Sequence, residues 1–414
     1  MTTALATATL LVQTPSGIVR VSGRAVADDR GPFPALGASL FWALWAYKHD
    51  PARLDAHLKL LSEHNFDYIR ALGVVGRQPA WAGRVIDSRW PDYDEMIAGL
   101  TDHAFDFYGL RIEWTIFGDA DQMVPESADR AKLVDRFLAM SKGREHKIMH
   151  FEVANESWQN GFEGPDGLEE LRTLARRLDE GTEIPVAASD SDGHDCADHL
   201  AMYRGLNLQI LTEHFPRSAE GPAGRWAPVV APWDVRECKG LPPVVSNNEP
   251  IGPLSSVASE TDPVKVVAAA VSSWMAGVGL YVFHTDAGVW GRESITDMPG
   301  ANAILDGLGN ARRYVPGDIA NWDHHRRASK GHPFTVDGAI DTFASVKEDR
   351  FFVIAIGVDG AAEFTARRGI EFETIDPLTG AKRESKTLAP GEKTSVRGSG
   401  MLVLQGRFPS SGAP

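Results

Sequence analysis

Cysteine is nearly absent from this sequence: Cys196 and Cys238 are the two it holds. They allow at most one disulfide and, with no CxxC spacing, no cysteine-built metal site. Both are expected to be free thiols. Long hydrophobic runs are missing as well. Nothing approaches the ~18 uninterrupted apolar residues of a membrane-crossing helix, and no Lys or Arg precedes the first apolar residues, as the start of a secretory signal requires. The expectation is a soluble protein without a membrane partner, cytoplasmic, released or virion-associated, or secreted if a signal has been removed. Basic residues are in deficit, 42 Lys and Arg against 56 Asp and Glu, giving a formal charge of -14. No basic cluster with interleaved aromatics offers a polyanion a groove to track, which argues against nucleic acid and for a neutral substrate. There is no internal repeat, and no Gly-rich phosphate loop follows the first predicted strand, which argues against a dinucleotide-binding sheet.

What the chain does have is length and periodicity. With 414 residues, 43% of them hydrophobic, it exceeds what one core usually holds, so a main domain and a smaller one are expected. Short β-rich runs at 35–41, 67–72, 110–117, 147–154, 184–189, 206–212, 244–247 and 279–283 alternate with amphipathic helical patterns such as 51–64, where Leu54, Leu58 and Leu61 share a face. Eight βα units in this span predict an α/β fold, a (β/α)8 TIM barrel, for which ~250 residues is typical. A β-hairpin ahead of it, within 1–34, is placed to plug the barrel floor. After Arg313 the pattern turns to strands and turns alone, predicting a small C-terminal antiparallel β-sandwich. The expected divisions are 1–34, a barrel at 35–325 and a sandwich at 331–408.

Two of the predicted strands end in the same chemistry. The apolar run containing Ile148, Phe151 and Val153 stops at Asn155-Glu156, and the run at Val244-Val245 stops at Asn247-Asn248-Glu249-Pro250. Proline cannot continue a central strand, and barrels of this type carry their reactive groups at the C-terminal ends of strands. Two carboxylates set across one barrel mouth suit acetal cleavage, which needs a proton on the leaving oxygen and a carboxylate at the anomeric carbon. Asn155 is placed to bind a sugar hydroxyl, or else to cap the following helix. Arg70 is placed to keep Glu249 ionised, or else to serve a structural ion pair, and His214 to donate to Glu249 or to sugar. Trp42, Trp45, Tyr47, Trp81, Trp90, Trp158 and Trp290 fall on predicted mouth loops, where some can stack against sugar C–H groups and others only pack. The loop 190–199 is rich in Asp and His, but it lacks the spacing of a calcium loop and is expected to be solvated.

Taken together, Asn155-Glu156 ending the fourth strand, Glu249 ending the seventh, Arg70 ending the second and His214 past the sixth give residues 35–313 a resemblance. They resemble the clan of retaining (β/α)8-barrel glycoside hydrolases that contains many cellulases and mannanases, family 5 among them. The resemblance implies that Glu156 is the acid/base and Glu249 the nucleophile, acting on a β-linked oligo- or polysaccharide with neither cofactor nor metal. It departs from that clan at the end of the eighth strand, where His284 and then Trp290 stand instead of the usual Trp. Two alternatives remain: a carbohydrate-binding or virion-surface structural protein on a barrel scaffold, and a metal-dependent hydrolase using Asp119, His194 or His284. Oligomeric state is not legible in the sequence.

Overall fold

The structure, a computed structural model, describes residues 15–409 except 77–78, 194–195, 236–237 and 256–258. His194, the amino-terminal stretch 1–14 and the tail from 410 lie outside the described residues. The chain begins with a three-stranded antiparallel sheet, β1 (Arg20–Ser22), β2 (Ala25–Asp28) and β3 (Gly31–Phe33). Val26 and Phe33 from this sheet, with Val19 just before it, pack with Tyr68, Met149, Ile210 and Val244 of the strands above, so the floor of the barrel is sealed by apolar contact. The expected hairpin is therefore present with one strand more.

Eight parallel strands follow: β4 (Ala35–Ser39), β5 (Tyr68–Val74), β6 (Arg111–Phe117), β7 (Ile148–Ala154), β8 (Val186–Ala187), β9 (Ile210–Glu213), β10 (Val244–Asn247) and β11 (Val278–Phe283). Their order, β8-β7-β6-β5-β4-β11-β10-β9, leaves one seam between β8 and β9. Gln209 bridges it: its backbone N–H donates to the Val186 carbonyl at 3.3 Å, and its side-chain oxygen accepts from the Val186 N–H at 3.0 Å. Side chains alternate between lumen and outer layer, as the pleat demands. In β6, Ile112, Trp114 and Ile116 join the apolar cluster under the helices, while Arg111, Glu113 and Thr115 are buried polar groups on the other side. The helix Pro51–Glu63 buries the predicted stripe of Leu54, Leu58 and Leu61 and is capped by Asp50, whose side chain accepts from the Arg53 N–H. Burying each such side chain is worth roughly 1.5–3 kcal/mol.

The sandwich consists of a six-stranded antiparallel sheet and a three-stranded one. The large sheet is β12-β14-β15-β20-β17-β18, with β12 (Asp323–Arg326), β14 (Asp341–Lys347), β15 (Arg350–Val358), β17 (Ile370–Ile375), β18 (Lys382–Leu388) and β20 (Gly400–Arg407). The small one is β13 (Phe334–Asp337), β16 (Ala361–Ala366) and β19 (Lys393–Arg397). The large sheet lies on the barrel, with Trp233 stacked on Phe343 at 4.5 Å between ring centres and Tyr314 on Phe352 at 6.4 Å. The helix Pro263–Met275 runs between the two bodies and is buried from Lys265 to Met275, which explains why its sequence is apolar almost all round.

Cys196 and Cys238 are not free thiols. They are bonded to each other, with Cα atoms 5.5 Å apart across a sequence separation of 42. Replacing both by Ser is expected to cost about 2–4 kcal/mol of unfolding free energy through the larger conformational freedom of the unfolded chain. The check is the urea midpoint of the double variant against that of the parent, with and without reductant. Identical midpoints in all cases would show that the bridge does not stabilise the fold.

Candidate active site

Strand β7 delivers Glu156 to the barrel mouth through a turn in a left-handed conformation. Glu156 has φ of 40°, a region in which a non-glycine residue costs about 1–3 kcal/mol. The turn is held from both sides: Asn155 N–H donates to the Phe117 carbonyl at 2.9 Å, Ser157 N–H to Ser189 Oγ at 3.0 Å and Gln159 N–H to the Glu156 carbonyl at 3.0 Å. The Glu156 carboxylate keeps about a fifth of its surface exposed. Its Oε2 accepts from Gln159 Nε2 at 2.7 Å and, more distantly, from Asn155 Nδ2 at 3.4 Å. Across the mouth, β10 is followed by Asn248, whose Nδ2 donates to buried Glu113 at 2.8 Å, and then by Glu249. A carboxylate oxygen of Glu156, one of Glu249 and a ring nitrogen of His214 all lie within 4.8 Å of one another. They line a cavity of about 560 Å³.

The two carboxylates sit in different fields. Glu249 Oε1 faces Arg70 Nη1 at 3.4 Å. Oε2 has three looser neighbours, Arg217 Nη1 at 3.5 Å and His214 Nδ1 and His284 Nε2 at 3.8 Å each. Burial pushes the Glu249 carboxyl up, but His214, His284, Arg70 and Arg217 outweigh it and hold it down to about 2. His284 is itself lowered to about 4, by burial and by the nearby cations against the pull of Glu249. It is therefore neutral at physiological pH, and the other three groups hold Glu249 there. For His214, burial favours the neutral ring, yet Asp190, Glu249 and Glu156 together push it up to about 10. Its contacts to Glu156 and Asp190 are 3.5 and 3.4 Å, long for hydrogen bonds, so charge rather than geometry fixes its state.

Arg70 is fully buried beneath the pair and organises it. Its Nη2 donates to Glu152 at 2.7 Å and to Asn155 Oδ1 at 2.8 Å, its Nε reaches Glu113 at 3.2 Å, and the Phe41 ring lies 5.0 Å from the guanidinium. Burial works against the charge, but Glu152, Glu113 and Glu249 raise the Arg70 pKa well above its usual value. Because Asn155 Oδ1 accepts from Arg70, its Nδ2 is left to point at Glu156 and the cavity.

Of the residues singled out in the sequence, Glu156, Glu249, Asn155, His214, His284, Trp81, Trp158 and Trp290 line this one cavity, and Arg70 lies directly under it. Trp81 and Trp290 meet edge to face at 4.9 Å on one wall, and Trp158 stands exposed beside Glu156. Trp42 and Trp45, expected at the mouth, do not line the cavity. Trp42 is 1% exposed, donates from Nε1 to the Ala287 carbonyl and packs against Arg53 and His57. Trp45 packs on His49 and Arg84. Both lie on the helix Ala43–His49 or at its start and face its neighbours. Tyr47 and Trp90 likewise pack on His103 and Lys48. The 190–199 loop is not simply solvated either: Asp190 is buried, accepting from the His214 N–H at 3.0 Å, and Ser191, His199 and Glu213 form a buried chain of contacts beside it.

Four features escaped the sequence reading: Arg217, Gln159, the role of Asp190, and the polar lumen of Glu113, Glu152 and His150. The last had a visible signal, since Arg111-x-Glu113-x-Thr115 and His150-x-Glu152 alternate with apolar residues inside otherwise buried strands. Asp119 accepts from the Gly76 N–H at 2.6 Å at the cavity wall. Among the described residues, the cluster with metal-liganding spacing is Glu156, His214 and Glu249, and neither Asp119 nor His284 belongs to one.

Neither a family model nor a curated protein matches the chain. Solved structures do. A structure described as a glycoside hydrolase superposes with a TM-score of 0.67 at 13% identity, over 95% of this chain and 98% of its own. A glycoside hydrolase family 5 protein from Bacteroides vulgatus gives 0.67 at 13%, over 95% and 94%. A family 27 β-L-arabinopyranosidase from Geobacillus stearothermophilus gives 0.56 at 9%, over 92% and 98%. At these identities the likeness is one of fold, and it extends over the barrel and the sandwich together.

Proposed function

We propose that the chain is a retaining glycoside hydrolase acting on a β-linked glycan, with Glu249 as nucleophile and Glu156 as acid/base. The observation that carries this reading is the pair of mouth carboxylates with oxygens within 4.8 Å of each other. Carboxylates this close can act on one anomeric carbon, as the pair in a retaining site does. In the first step Glu156 gives its proton to the glycosidic oxygen as Glu249 Oε2 bonds to the anomeric carbon and the bond to the leaving group breaks. In the second, Glu156 takes a proton from water, whose oxygen bonds to the anomeric carbon as the bond to Oε2 breaks. Asn155 Nδ2 is aimed to donate to the sugar 2-hydroxyl, a contact that tightens as positive charge develops on the ring. Trp158 and the Trp81–Trp290 wall supply faces for neighbouring sugars. The test is NMR of the first-formed sugar during cleavage of an aryl β-glycoside. The β-anomer is expected. The α-anomer would overturn the retaining mechanism, and binding of glycans without any cleavage would make the chain a binding protein.

The pH dependence is a second check. Glu249 is ionised above about 2, His284 is neutral above about 4, and His214 is charged below about 10. Between pH 5 and 9 none of these three changes state. The constant kcat/KM reports only steps up to the first irreversible one, glycosylation. No ascending limb from these groups is therefore expected in this window. An ascending limb above pH 5 would contradict the assignment of Glu249 as a permanently ionised nucleophile.

A further inference from the structure

We infer that the sugar seated over Glu249 carries a carboxylate, and that Arg217 is the residue that selects it. The inference deepens the glycosidase reading and rests on it. Arg217 follows β9, lines the cavity and is about a tenth exposed. Its one ion pair among the described residues is the 3.5 Å approach of Nη1 to Glu249 Oε2. A guanidinium has five N–H donors in a planar fork, so most of this one faces the cavity without a partner. Ionising Glu249 does not require it, because Arg70 and the charged His214 already flank that carboxylate.

Of the other charged groups at the wall, Asp192 lies exposed to solvent and the buried ones are committed. Arg70 serves Glu113, Glu152 and Glu249, and His214 sits among Glu156, Asp190 and Glu249. Asp190 accepts from the His214 N–H, and Asp119 from the Gly76 N–H. The cavity thus presents one unsaturated cation directly beside the nucleophile. Arg217 reaches Glu249 from the β9 side, whereas Asn155, aimed at the 2-hydroxyl, comes from β7. The anomeric carbon has two ring neighbours, C2 and the ring oxygen, and C5 lies just beyond that oxygen. With Asn155 on β7 taking the 2-hydroxyl, Arg217 on the β9 side, next to β10, is left for the substituent on C5. In a hexuronide that substituent is a carboxylate, planar and able to accept two parallel N–H donors from one guanidinium. In a neutral hexoside it is a hydroxymethyl group, which leaves the charge unmatched.

The experiment compares matched 4-nitrophenyl β-glycosides: glucoside with glucuronide, galactoside with galacturonide, mannoside with mannuronide, and the 6-sulfate of each neutral sugar. The parent is expected to cleave one uronide with kcat/KM at least tenfold above its neutral match. In Arg217→Gln the uronide-to-neutral ratio should fall about 10–100-fold, the scale of a lost charge-assisted hydrogen bond, and Arg217→Lys, which keeps the charge without the fork, should fall between. Thermal melting of both variants must match that of the parent. Preference for the neutral sugar in every cleaved pair, or a ratio unchanged in Arg217→Gln, overturns the inference while leaving the glycosidase reading intact. Preference for the sulfate over the uronide overturns the carboxylate. If the parent cleaves no member of any pair, the glycosidase reading falls and the inference with it.

Discussion

Glu249→Ala is expected to lose on the order of 10⁶-fold in kcat, the scale on which removal of a covalent nucleophile acts, and to lose it for every leaving group alike. The side chain that captures the anomeric carbon is gone, and a better leaving group cannot replace it. Folding should survive. The carboxylate sits at a strand end on the cavity, and its removal leaves Arg70 with Glu113 and Glu152. His214 keeps Asp190 and Glu156. Added azide, small enough for the vacated space, is expected to restore part of the turnover by attacking the anomeric carbon from the face Glu249 used, giving a glycosyl azide of inverted configuration. The measurements are kcat on aryl glycosides of graded leaving-group acidity and the configuration of the azide product. A variant that hydrolyses like the parent would place the site elsewhere.

Much of this was legible in the sequence, for identifiable reasons. The eight strands are short apolar runs bounded by polar turns, and a run that long and that apolar has few other ways to bury itself. Glu156 and Glu249 stood out because a buried strand breaks off at each. The weakest strand to read was β8, which keeps only Val186–Ala187 of the expected run at 184–189 because the chain leaves the sheet early for the Asp190 turn. Trp42 and Trp45 were placed at the mouth because a Trp after a strand reads the same whether it turns up to the cavity or back onto the helix layer. Packing against Arg53 and Arg84 decides that, and no periodicity encodes it. Arg217 and the disulfide share a different obscurity. Each depends on the path of an irregular connection, and segments distant in the chain carry no local signal of meeting. The lumen of Glu113, His150 and Glu152 was legible in principle, since polar residues at every second position of a buried strand must find partners inside a barrel.

The second large effect separates the two carboxylates by leaving group. Glu156→Ala removes the proton donor of the first step and the base of the second. For a substrate with a poor leaving group, such as an alkyl glycoside or a glycan, loss of general acid catalysis is expected to lower kcat/KM by about 10²–10⁴-fold. For an aryl glycoside whose phenol leaves without protonation, kcat/KM should change little, because glycosylation no longer needs the donor. Hydrolysis of the covalent intermediate still needs a base, so kcat falls and KM falls with it as the intermediate accumulates. Azide needs no deprotonation to attack, so it is expected to raise kcat and to give a glycosyl azide of retained configuration, having displaced Glu249 from the opposite face. This differs from the Glu249→Ala product in stereochemistry alone. The difference follows from geometry, because the two nucleophiles enter from opposite sides of the same carbon. If the two variants exchange these behaviours, the nucleophile lies on β7 and the acid on β10, and the field around Glu249 must be explained anew.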